Sequence, residues 1–123
     1  MGIKVGNVTQ TKAASAAYTD TAAKTLFTVP ANAMIIDARI IGIASNAATT
    51  GVLTLYSRPV DGSSAAAAFA VLDAKTTTGT FTNGVLSGIA FNRQDKAQHI
   101  TAIYTETGIA ASAGAWTVLV DFL

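Results

Sequence analysis

Histidine occurs once in the chain, at His99, and cysteine does not occur. A pair of imidazoles, a histidine metal cluster, a thiolate nucleophile, a cysteine zinc site and a disulfide framework are therefore beyond its reach. The carboxylates are Asp20, Asp37, Asp61, Asp73, Asp95, Glu106 and Asp121. None lies within two residues of another, so the closely spaced acids of a calcium loop are missing. Asp37 and Arg39, two apart, read as a same-face ion pair, and Asp61 and Asp95 read as turn residues. Ser87 sits in Gly84-Val85-Leu86-Ser87-Gly88. That spacing is G-x-x-S-G and lacks the strand–turn–helix setting of a nucleophile elbow. No phosphate loop and no G-x-G-x-x-G occurs. Tyr56, Tyr104 and Trp116 would make a sugar-stacking platform only if exposed, and Trp116 heading a strand reads first as core or rim. The expectation is no catalytic, cofactor-binding or metal-ligating residue, and no enzyme.

The elements that would position these residues follow from composition. One ordinary domain accounts for 123 residues, of which half are hydrophobic and only 12% charged. A typical globular chain has about twice that charge, so part of the surface is expected to face protein. Thr, Val and Ile are common, and β-branched side chains pack well on a pleated sheet. The eight cations are spread along the chain for a net charge of +1. A nucleic-acid binder would cluster them, so nucleic acid is not expected as a partner. The start, Met1-Gly2-Ile3-Lys4-Val5, lacks the apolar stretch of a signal peptide. The charge-free stretch between Arg39 and Arg58 is broken by Ser45–Gly51 and cannot span a membrane.

Residues 1–23 show neither helical nor alternating periodicity. A segment of this kind orders only when tied down, so it reads as an extended arm lying on a neighbour or pairing with a sheet. Residues 24–123 read as the sandwich domain. Leu26–Val29 is a strand ended by Pro30, followed by strands at Met34–Ala44 and Val52–Ser57, with a turn at Pro59 to Gly62. Ser63–Lys75 fits a short helix, through Phe69 and Leu72 three apart, or a strand from Phe69 to Asp73. Asn83-Gly84 predicts a type I′ hairpin between Thr80–Thr82 and Val85–Phe91. Strands at His99–Thr105 and Ala115–Phe122 complete an all-β pattern of seven or eight short strands, with no internal repeat. The architecture expected is an antiparallel β-sandwich, a jelly roll.

Within Met34–Ala44, strict alternation puts Ile36, Ala38 and Ile40 on one face and Ile35, Asp37, Arg39, Ile41 and Ile43 on the other. The second face mixes a charge pair with three large aliphatics. Either a bulge near Ile40-Ile41 switches the faces, or this face packs against another subunit.

Leu26-Phe27-Thr28-Val29-Pro30-Ala31-Asn32-Ala33-Met34-Ile35-Ile36-Asp37, with Ile103-Tyr104-Thr105-Glu106-Thr107-Gly108 and Trp116-Thr117-Val118-Leu119-Val120-Asp121, resembles small structural proteins of tailed bacteriophages. The class to which it is most similar is the capsid decoration, or cement, protein. The resemblance covers most of residues 24–122 and carries over no catalytic residue. It implies a jelly roll on the exterior of the virion capsid, made in the host cytoplasm, homotrimeric and bound to the major capsid protein. It implies no membrane, cofactor or small-molecule substrate. Partner contacts are expected at Ile3, Val5, Val8 and Tyr18 of the arm and at Ile35, Ile41 and Ile43. The competing expectation is a tail- or fibre-associated binding module that recognises a host-surface carbohydrate through Trp116 or Tyr104.

Overall fold

In the computed structural model, which describes residues 9–47, 49–75 and 78–123, the alternating stretches become nine strands. They are β1 (Gln10–Ala17), β2 (Lys24–Val29), β3 (Ile35–Ile43), β4 (Thr50–Pro59), β5 (Ala67–Asp73), β6 (Thr82–Asn83), β7 (Val85–Leu86), β8 (Gln98–Thr107) and β9 (Ala115–Phe122). No helix forms among the described residues. One sheet has the order β1-β9-β3-β6 and the other β2-β8-β4-β5-β7, with every pairing antiparallel. With the two-residue β7 set aside, two four-stranded sheets exchange strands in the order of a jelly roll.

β1 runs beside β9 from Gln10 opposite Phe122 to Ala17 opposite Ala115. The described part of the segment read as an arm is thus a strand of the first sheet, the sheet-pairing disposition. Small residues suit it. Ala14 and Ala16 lie opposite Val118 and Trp116, whose larger side chains fill the interior. Ile3, Val5 and Val8 lie outside the described residues.

The interior is mostly apolar, with Ser45, Ser57, Gln98 and Thr101 as its buried polar residues. Ile40, Leu53, Leu55, Phe69, Leu72, Ile100, Tyr104, Val118, Val120 and Phe122 are its large buried side chains. Among the described residues, no buried side-chain polar atom lacks a partner, as a water-free core requires.

Two bulges set which residues face inward. In β3 the register against β9 slips between Ile35 and Asp37, so Ile36 is the extra residue. Ile35, Ala38 and Ile40 then point inward, and Asp37, Arg39, Ile41 and Ile43 outward. The face switch therefore occurs, but five residues earlier than Ile41, at Ile36. In β5 the slip falls opposite Leu55 and Tyr56, which turns Phe69, Ala70 and Leu72 inward together. Ser63–Lys75 thus contains a strand; the three-residue spacing that mimicked a helix is the mark of the bulge.

The Asn83-Gly84 hairpin does not form. β6 pairs with β3 and β7 pairs with β5, and neither Asn83 nor Gly84 has the positive φ of a type I′ turn. Each half of the segment instead covers the open edge of a different sheet, which a hairpin would have left unpaired. Gly84 is the crossing point: its N–H donates to Ala38 O at 2.8 Å, and a Cβ there would lie 3.2 Å from that oxygen. The same edge of β3 receives Gly79 N–H on Gly42 O at 2.9 Å and Phe91 N–H on Ile35 O at 2.8 Å.

Candidate interaction surface

The outer face of the first sheet is a ladder of rows fixed by register. They read Thr11–Asp121–Asp37, Ala13–Leu119–Arg39, Ser15–Thr117–Ile41 and Ala17–Ala115–Ile43. The first two rows hold the charge. Arg39 Nη1 donates to Asp121 Oδ2 at 2.7 Å and to Asp37 Oδ2 at 3.4 Å. Thr11 Oγ1 donates to Asp121 Oδ1 at 2.5 Å, and the guanidinium lies 5.8 Å from the Phe81 ring centre. At this end of the face both carboxylates are paired with the one guanidinium. The last two rows carry no charge, and they form a shallow groove of about 410 Å³ between Ile41, Ile43, Ala17 and Ala115, with Lys24 at its rim.

The residues expected at a partner contact separate accordingly. Ile43 is 55% exposed, and Ile41 is half-buried beside it. Tyr18 is half-buried and packs on the core, its N–H donating to Gly114 O at 3.0 Å. Ile35 is 2% exposed and cannot touch a partner. The Ile36 bulge moved it inside, which corrects the strict alternation from which its exposure was read.

His99, Ser87 and Asp61 stand in separate places. His99 sits on the outer face of the second sheet, its Nδ1 2.9 Å from Thr28 Oγ1. Ser87 lies beside β5, its N–H donating to Phe69 O. Asp61 is a turn residue whose carboxyl is lowered to about 2 by hydrogen bonds from Ser63, side chain then backbone. Among the described residues no group of three His, Cys, Asp or Glu is placed to hold a metal ion. The sugar platform is absent. Trp116 and Tyr104 are 5% and 1% exposed, with ring centres 5.6 Å apart and planes 26° from parallel. Tyr56 is half-buried in β4, in the same sheet as Tyr104.

Beneath the groove a buried polar relay ties the last long loop to the core. Ala47 N–H donates to Ser45 Oγ at 3.2 Å, Ser45 is hydrogen-bonded to the Tyr104 hydroxyl, and Tyr104 donates to Glu106 Oε2 at 3.0 Å. Glu106 Oε2 also accepts Ala111 N–H at 3.0 Å. Burial foremost pushes the Tyr104 phenol above 10.0; Ser45 pulls it down, while Glu106 adds to the rise. The fold thus holds the neutral phenol. That contribution is complete below the unfolded value, about 10, and is lost as pH rises through the higher folded value. Tyr104→Phe should cost about 1–3 kcal/mol at pH 7, because Ser45 and Glu106 lose a partner away from water. In urea titrations followed by circular dichroism, that deficit should narrow above pH 10 as the wild type loses its own phenol. A deficit that widened there would reverse the assignment.

Sequence signals for the remaining exposed apolar residues are weak. Phe81, Val85, Phe91 and Ile109 are exposed but lie in turn-rich stretches with no alternation to mark their direction.

No protein-family model and no curated protein sequence matches the chain. Solved structures do. A chain in the acidic stable capsid structure of Helicobacter pylori bacteriophage KHP30 is similar with a TM-score of 0.57 and 12% identity, over 96% of this chain and 89% of that one. A chain in the capsid asymmetric unit of cyanophage Pam1 is similar with a TM-score of 0.54 and 16% identity, over 99% of this chain and 89% of that one. At these identities the likeness is one of fold: this chain is a single jelly-roll sandwich of the kind and size found in both capsids.

Proposed function

We propose that the chain is a structural, non-enzymatic protein of a bacteriophage particle, which binds the outer surface of the head and stabilises it as a cement protein. The observation that supports this most directly is the match, over nearly the whole of both chains, to small chains of two phage capsids. The surface supports it too. With 12% charged residues and a groove at Ile41 and Ile43 whose one charged lining residue is Lys24, the first sheet offers the charge-depleted area that protein interfaces use. Its partners are the major capsid protein and two further copies of itself. Ile41, Ile43 and Tyr18 make the contacts, together with Ile3, Val5 and Val8. Binding the assembled shell and not its dissociated parts would stabilise the shell by mass action.

Purified particles separated into heads and tails should carry the chain on heads. Heads made without it should release their DNA several degrees lower on heating. Recovery of the chain with tails alone, or heads of unchanged thermal stability in its absence, would overturn the proposal.

A further inference from the structure

Phe91 is a bulky residue in a position that favours glycine. Asn92 N–H donates to Ile89 O at 3.1 Å, closing a four-residue turn in which Phe91 is third, with φ +65°. A left-handed third residue is the type II arrangement, which disfavours a Cβ. The ring gains little within its own chain to offset this. It is 59% exposed and is not among the side chains packed on the core. A strained backbone that holds an aromatic ring in water points to a partner for that ring.

We propose that Phe91 of one copy seats in the groove beside Ile41 and Ile43 of a second copy. The charges favour this occupant: Lys24 stands at the rim of the groove, 3.6 Å from its own chain's Asp20 but with its side chain 43% exposed, and Asp95, four residues beyond Phe91, makes no ion pair among the described residues. Seating the ring brings this anion towards the next copy's cation. Phe91 is hydrogen-bonded at the Ile35 end of β3, whereas the groove lies at the Ile43 end, roughly 26 Å along the strand. In the trimer of the reading above no two-fold axis relates the copies, so each ring meets the next copy's groove head to tail and the contacts close a ring. The inference rests on the self-association part of the reading above and not on attachment to a head.

The absence of native cysteine makes the test clean. The variant Phe91→Cys with Ile43→Cys cannot bridge within one chain, and on oxidation it should run as a covalent trimer. Phe91→Gly should weaken self-association about 30-fold while raising Tm by about 3 °C, since the backbone strain is relieved. Asp95→Lys should weaken association, and adding Lys24→Glu should restore it. A trimeric wild type whose cysteine pair does not cross-link, or stops at dimer, overturns this contact and leaves self-association standing. So does a fall in Tm for Phe91→Gly, which would show the ring packing on its own chain. A wild type that stays monomeric at high micromolar concentration overturns self-association itself and leaves head attachment to its own experiment.

Discussion

Gly42→Ala should destabilise the chain by about 3 kcal/mol or more, lowering Tm by roughly 12 °C. Gly42 lies in β3 opposite Trp116 of β9 with φ +155°. A Cβ there would stand 2.1 Å from Ala115 O and 2.9 Å from Trp116 Cα. Both obstacles are backbone, so no side-chain rotation relieves them. The two central strands of the first sheet must separate, and the hydrogen bond from Gly79 N–H to Gly42 O at 2.9 Å is strained with them. With total stability of about 5–15 kcal/mol for a domain, the variant keeps little margin. Gly62→Ala is the control. Its φ is +73° but nothing lies within 4 Å of the added carbon, leaving only the left-handed cost of about 1 kcal/mol. Thermal and urea unfolding should rank the two variants in that order; equal losses would mean conformation and not contact governs Gly42.

The same residues show how far this fold was legible in the sequence. Val52–Ser57 and Ala115–Phe122 alternate without interruption and His99–Thr105 does so but for the buried Thr101, and each lies within a strand of the structure. Where a bulge adds a residue, period 2 breaks into a three-residue step, and reading by alternation fails. Ile35 was thereby placed on the wrong face, and Phe69 with Leu72 mimicked a helix. Asn83-Gly84 failed for another reason. Its local preference for a tight hairpin is small beside the gain from closing two open sheet edges at once, a choice visible only when both edges are in place. The candidate surface was half legible. Ile41 and Ile43 were found because an aliphatic pair beside a charge pair on one face is unusual. Phe91 left no mark, since its turn carries a ring where glycine is the signal.

Trp116→Ala should cost about 3–5 kcal/mol, and its consequences reach the surface. The indole is 5% exposed, stacked on Tyr104, and lies between Ala16 of β1 and Gly42 of β3. Offset stacking adds about 1 kcal/mol beyond the buried area. No neighbour can fill the space by rotation, because both flanking positions are small. Trp116 is also one of the residues that line the groove beside Ile41 and Ile43. Its loss should therefore lower Tm and weaken self-association together, whereas Ile43→Asp should weaken association with Tm nearly unchanged, Ile43 being largely in solvent. Trp116→Phe, which retains a ring and most of the volume, should recover more than half of the lost stability. Circular dichroism melts measure the first effect and light scattering the second. If Trp116→Ala unfolded at the wild-type temperature, the stack would not be the keystone of this end of the sandwich. The wild type supplies a further check, because Trp116 is its single tryptophan. Its emission should be that of a buried indole and should not change on adding sugars, since no saccharide reaches a ring covered by both sheets.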